Sequence, residues 1–217
     1  GGPRLLYALQ NSHGFASVST VLRKQPIPRL LPSIGTPERK EIDSNISSFF
    51  APEIKLAPSY PGCSEPPGNT LMVDGVAIEP KCRFCYRRNA ILGLCREHAK
   101  HVNTQVNSVE SVDLVRSALA ETDKDSGTRV CFGTDATVVA VAPFCNEEHY
   151  TAIPIVVSPT DKTESAEDFV KWLRVVLEAW KEHPEGEALH GPIWRIASDG
   201  DSIFRLAKFI LCMTQEI

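Results

Sequence analysis

Nothing in the 217 residues approaches the run of about 18 uninterrupted apolar residues that a membrane-crossing helix needs. The opening stretch, GGPRLLYALQNSHG, also lacks the charged start and apolar block of a secretory signal. Neither membrane insertion nor secretion is expected. Basic side chains are not in surplus: 23 Lys and Arg stand against 27 Asp and Glu, a net charge of −4. With a pI near 5.9, this argues against a surface coated for nucleic acid. An even cysteine count is lacking too. Seven cysteines, three of them between Cys82 and Cys95, suit thiols in a reducing, intracellular setting better than a disulfide framework. No internal repeat is visible.

The charge that is present is unevenly spread. Residues 1–60 carry 7 basic and 4 acidic side chains, and residues 61–217 carry 16 and 23, so any nucleic-acid contact would be local or made by other chain. Most of the prolines fall between Gln25 and Pro67, and proline removes backbone donors and stops helices. Residues 1–67 therefore read as a Pro-rich N-terminal linker region with short helical pieces, one of them around Glu38–Phe50.

A folded α/β domain is expected over residues 68–217. LMVDGVAIE has strand length and β-branched content, and KCRFCY and AILGLC flank a polar turn at Arg87–Asn89 as a hairpin would. A polar and helical insertion is expected at about 96–130, with a helix over 108–121. Two Val/Ile-dense strands follow, at 136–144 and 150–159. Phe169, Trp172, Leu173, Val176, Leu177 and Trp180 then recur at helical spacing, which predicts a helix over Ser165–His183 with its tryptophans in the core. PIWRIASDG reads as a buried strand, and DSIFRLAKFILCM as a helix with Ile203, Ala207, Ile210 and Leu211 on one face. Strand, helix, strand, helix predicts a mixed sheet with parallel pairing across the Ser165–His183 helix.

Two aspartates stand out. Alternation along a strand puts Asp74 on the face of Met72, Val76 and Ile78, an apolar surface where a carboxylate needs a cation, donated hydrogen bonds or a metal ion. A solvated bend with Gly75 is the plainer account. Asp199 ends the strand IWRIAS before a helix, as a turn or capping residue would. If Asp201 or Ser202 caps that helix instead, Asp199 projects from the strand's C-terminal end, where α/β folds place their sites. Paired carboxylates on neighbouring strands suit Mg2+ or Mn2+, hard cations that prefer oxygen ligands. Asp135, in GTD, reads as a loop residue.

The order LMVDGVAIE, CRFCYRRNAILG, TVVAVAPF, AIPIVV, amphipathic helix, IWRIASDGD resembles the ribonuclease H-like core of P-element/THAP-type DNA transposases, including fungal transposon-derived proteins. The resemblance implies a ribonuclease H-like mixed sheet flanked by helices. It implies that Asp74 and Asp199 are catalytic ligands of Mg2+ or Mn2+, with Asp201 a secondary candidate. Asp74 is followed by Gly75 where the family usually has an acid. The family's third acid comes from a helix farther downstream, so the chain is expected to be C-terminally incomplete, a partial copy. The implied activity is cut-and-paste transposition by two-metal phosphodiester hydrolysis and strand transfer. Transposon-end DNA would be bound by a module outside this chain, in the nucleus, with a homo-oligomer as a further expectation.

Cysteine spacing offers another chemistry. Cys82-x2-Cys85-x9-Cys95-x2-His98 has the ligand types of tetrahedral zinc, although pairing 82–86 with 90–95 lets three ligands converge more easily than four. Thiols packed in a hairpin are the alternative. Cys63, Cys131, Cys145 and Cys212 read as small hydrophobes or loop thiols, and His98 and His101 could otherwise be polar loop residues. Two further functions therefore stand beside the transposase: a zinc-stapled module that binds nucleic acid or protein without catalysis, and a decayed or domesticated fragment acting as a scaffold.

Overall fold

A computed structural model describes residues 28–50, 68–121, 129–144 and 152–213. In chain order its elements are α1 (Arg39–Phe49), β1 (Asn69–Ala77), β2 (Arg83–Cys85), β3 (Ala90–Leu92), α2 (Val109–Ala120), β4 (Asp135–Pro143) and β5 (Ile153–Thr160). They continue with α3 (Ala166–Glu182), α4 (Glu187–His190), β6 (Ile193–Ser198) and α5 (Ser202–Met213). Four strands form a mixed sheet in the order β5-β4-β1-β6. β1, β4 and β5 make antiparallel pairs, and β6 returns parallel to β1. The parallel pairing expected across α3, between β5 and β6, is not formed: β6 pairs with β1 instead, at the opposite end of the sheet order from β5.

Helix α3 forms because its apolar residues share one face and its N-terminus is satisfied. Ser165 Oγ accepts from the Asp168 amide at 3.1 Å, and Phe169, Trp172, Leu173, Val176 and Trp180 are buried. They pack with Leu71 and Val73 of β1, Val139 and Val141 of β4, and Ala207 and Leu211 of α5. Each large side chain removed from water there contributes about 1.5–3 kcal/mol. Leu71 and Val73 occupy the helix-covered face. The alternate face includes Asp74, which is exposed, so the carboxylate meets solvent and not the apolar surface expected from Met72, Val76 and Ile78.

The helix expected around Glu38–Phe50 is α1, and Ile42, Ile46 and the following Phe50 belong to the main core; the rest of the expected linker, residues 1–27 and 51–67, lies outside the described residues. One further expectation changes. The strand IWRIAS lies at the end of the sheet order, and Trp194 is 65% exposed. An apolar run alone does not distinguish a central strand from an outer one.

Residues 78–134 are inserted between β1 and β4. The hairpin forms as its own two-stranded sheet around the Arg87–Asn89 turn, with Phe84 opposite Ile91 and Cys85 opposite Ala90. Gly93 closes it at φ 105°, where a Cβ would run into the Lys81 carbonyl, so glycine is needed. Among the described residues, the insertion's own core is a small cluster of Ile91, Leu94, Ala99, Val115 and Val130.

The outer border of β5 is closed by other segments. Asn45 Nδ2 donates to the Ile155 carbonyl at 2.9 Å, the Ser33 amide to Val157 at 2.9 Å and the Arg96 amide to Pro159 at 2.9 Å. These are alternate residues, whose carbonyls point the same way. Asn45 is 1% exposed and also exchanges two bonds with Leu31, accepting from its amide at 2.7 Å and donating to its carbonyl at 3.0 Å. Asn45→Ala leaves these backbone groups without partners and is expected to cost about 1–3 kcal/mol in urea unfolding. Ser48→Ala, on the exposed face of the same helix, should stay within about 0.5 kcal/mol.

Candidate metal centre and carboxylate cleft

The turn Cys95–His98 leads into a short 3-10 helix, Ala99–His101, and an isolated bridge between Leu94 and Phe132 lays Cys131 beside it. The Cys95 amide donates to the Cys131 carbonyl at 2.9 Å. Asp161 arrives from the end of β5. Cys95, His98, Cys131 and Asp161 each offer one ligand atom, and these atoms all lie within 4.8 Å of one another. The two sulfurs are 3.1 Å apart and share a hydrogen bond, Cys131 Sγ donates to Asp161 Oδ2 at 3.1 Å, and His98 Nε2 lies 3.7 Å from the same oxygen. Cys95 and His98 therefore meet, but with Cys131 and Asp161 and not with Cys82 and Cys85. The reason is register: Cys82 falls at the mouth of the hairpin beside Gly93 and is exposed, while Cys85 is held opposite Ala90.

Burial is the main influence on the thiols and pushes both Cys95 and Cys131 upward, so each is a neutral donor in the protein as described. Burial acts to raise Asp161 also, but hydrogen bonds from Thr163 and Cys131 outweigh it and hold this carboxyl below its ordinary value. Thr163 engages Oδ1 through its hydroxyl at 2.6 Å and its amide at 3.2 Å, which turns Oδ2 toward the sulfurs and the imidazole.

Arg96 points the opposite way, into the main domain. Its guanidinium donates to Glu164 at 2.7 and 3.1 Å, to Thr137 Oγ1 at 3.0 Å and to the Ser158 carbonyl at 3.3 Å. It lies 5.2 Å from the Trp172 ring centroid, and Trp172 Nε1 donates to Glu164 at 3.1 Å. Both charged side chains are almost wholly buried. This ion pair forms the inner wall of a cleft also lined by Gly75, Asp135, Lys162, Asp199 and Asp201.

At the cleft's outer side, Val73 and Ser198 are register partners, so Asp74 and Asp199 follow directly on adjacent parallel strands. Asp74 Oδ1 accepts from the Gly75 amide at 2.8 Å, and Asp199 Oδ1 from the Asp201 amide at 3.2 Å. Among the described residues, neither second carboxylate oxygen has a further hydrogen-bond partner. Asp199 lines the cleft, whereas Asp74 sits on the opposite side of its strand from Gly75, the residue of β1 that does. Asp201 caps α5, with Oδ1 accepting from the Ile203 amide at 2.8 Å. Asp135 is the first residue of β4, not a loop residue, and pairs with Lys162 at 3.0 Å.

Cys131, Asp161, Arg96 and Glu164 were not singled out as site residues by the sequence. Their partners lie 30 to 68 positions away, and no spacing motif spans such distances. Cys63 and Cys145 lie outside the described residues. No family model, curated protein or solved structure matches the chain.

Removing one member of the buried pair strands the other. Arg96→Met is expected to destabilise the protein by about 3–5 kcal/mol in chemical denaturation, and Arg96→Met with Glu164→Leu to recover most of that loss. An additive double variant would show that the two charges are not coupled.

Proposed function

We propose that this domain is the phosphoryl-transfer core of a cut-and-paste DNA transposase, or of a protein derived from one, acting in the nucleus on DNA delivered by a module outside this chain. The observation that carries the reading is the sheet itself. Three strands run antiparallel, a fourth returns beside the first in parallel, and an aspartate stands at or just beyond the end of the Val73/Ser198 pairing on each of the two neighbours. The resemblance to a ribonuclease H-like core implies one carboxylate on the first strand and one at the end of a later strand, the positions of Asp74 and Asp199 on this neighbouring pair.

The donor set suits a hard divalent cation. Asp74 and Asp199 each spend one oxygen on a local amide and keep the other available, and oxygen-only ligands are what Mg2+ and Mn2+ prefer. When bound, such a cation would offset the charge of a phosphodiester under attack. The parallel register brings the two backbones side by side, with Asp199 facing the cleft and Asp74 the other side of β1. A shared cation therefore requires the Asp74 side chain to swing round the strand, and the Asp201 cap fixes where α5 begins and so where Asp199 turns. Asp201, with its Oδ1 engaged in the cap, suits a supporting role.

Added Mn2+ is expected to broaden backbone NMR signals most strongly at residues 73–75 and 198–201. Asp199→Asn and Asp74→Asn should each weaken that binding by at least about tenfold, the loss typical even of an outer-sphere partner. Broadening centred elsewhere, or binding unchanged by both substitutions, removes the support for this reading and favours a non-catalytic scaffold.

A further inference from the structure

The insertion presents a problem of stability before it presents one of function. Among the described residues, 78–134 contain a hairpin of two three-residue strands, one α-helix, a short 3-10 helix and a cluster of five buried apolar side chains. Segments of this size with so little core are ordinarily held by a disulfide or a structural metal. The free thiols and the converging ligands lie where the insertion meets β5. We propose that Cys95, His98, Cys131 and Asp161 form a structural zinc site that fastens the insertion to the sheet.

Geometry and donor chemistry both support it. With Zn–S near 2.3 Å and Zn–N or Zn–O near 2.0–2.2 Å, a tetrahedral ion separates its ligand atoms by roughly 3.4–3.8 Å. Of the separations here, 3.7 Å from His98 to Asp161 falls in that range, 3.1 Å between the sulfurs and 3.1 Å from Cys131 to Asp161 fall a few tenths of an ångström short of it, and all four ligand atoms lie within 4.8 Å of one another. Two sulfurs and an imidazole select zinc over Mg2+ or Mn2+, and four protein ligands close the shell, as in structural and not catalytic zinc. The Thr163 bonds to Asp161 Oδ1 are the kind of outer support that orients a ligating carboxylate. Loading displaces the protons of both thiols to solvent, leaving two thiolates on the ion. The site joins three separate stretches of chain: the turn after β3, the approach to β4 and the end of β5. It is independent of the carboxylates at the strand ends, so failure of either reading leaves the other standing.

The test is metal analysis of the full chain purified under reducing conditions without chelator, where about one zinc per chain is expected. Cys131→Ser should lose it, Asp161→His should retain it, and Cys82→Ser and Cys85→Ser should retain it as well. Because Cys131→Ser could fail to fold, the wild-type chain is also stripped of metal and reloaded with Co2+. Intense tetrahedral bands with sulfur-to-cobalt charge transfer are then expected. Stripping should speed amide exchange across residues 83–118 while β1, β4 and α3 keep their protection. Four results would overturn the proposal: no stoichiometric zinc, octahedral cobalt spectra, zinc retained by Cys131→Ser but lost from Cys82→Ser or Cys85→Ser, or a Cys95–Cys131 disulfide in place of the metal.

Discussion

The buried Arg96–Glu164 pair is the constraint on which the arrangement turns. Two desolvated charges are expensive, and the cost is offset only when every donor and lone pair has a partner in good geometry. Here the guanidinium has a carboxylate, a hydroxyl, a backbone carbonyl and an indole face, and the carboxylate has the indole N–H as well. Its partners belong to β4, β5 and the start of α3, while Arg96 itself belongs to the insertion. Sheet, helix and insertion can therefore meet in one relative placement.

Four consecutive residues divide the labour around that point. Cys95 and His98 face the sulfur cluster, while Arg96 and Glu97 reach back to the sheet, Glu97 accepting from the Thr160 hydroxyl. A turn presents its side chains in several directions over a short length, which a strand or a helix face does not. The cysteine cluster and the cleft consequently share a backbone. A shift of the turn toward one moves the wall of the other.

Much of the framework was legible because local chemistry dictated it. The period of Phe169, Trp172, Val176 and Trp180 reads directly as a buried helix face. The hairpin was legible from the two short runs flanking its polar turn at Arg87–Asn89. What local pattern does not carry is partnership at a distance. Cys131 looks like an isolated thiol until Phe132 pairs with Leu94, and Glu164 looks like a loop acid until Arg96 reaches it. For Asp74 the plainer of the two sequence accounts holds, a solvated carboxylate bonded to the Gly75 amide, because which face of the strand the helices cover is decided by tertiary packing and not by alternation. Trp194 is the same case, an apolar residue on a strand that ends the sheet.

The two borders of that sheet are chemically unequal. Along β5, three alternate carbonyls are already claimed by Asn45, Ser33 and Arg96, whereas among the described residues β6 has no strand beyond it. A strand arriving along β5 would find these three carbonyls already taken, so the same contacts that seat α1 and the insertion also guard that margin against sheet extension.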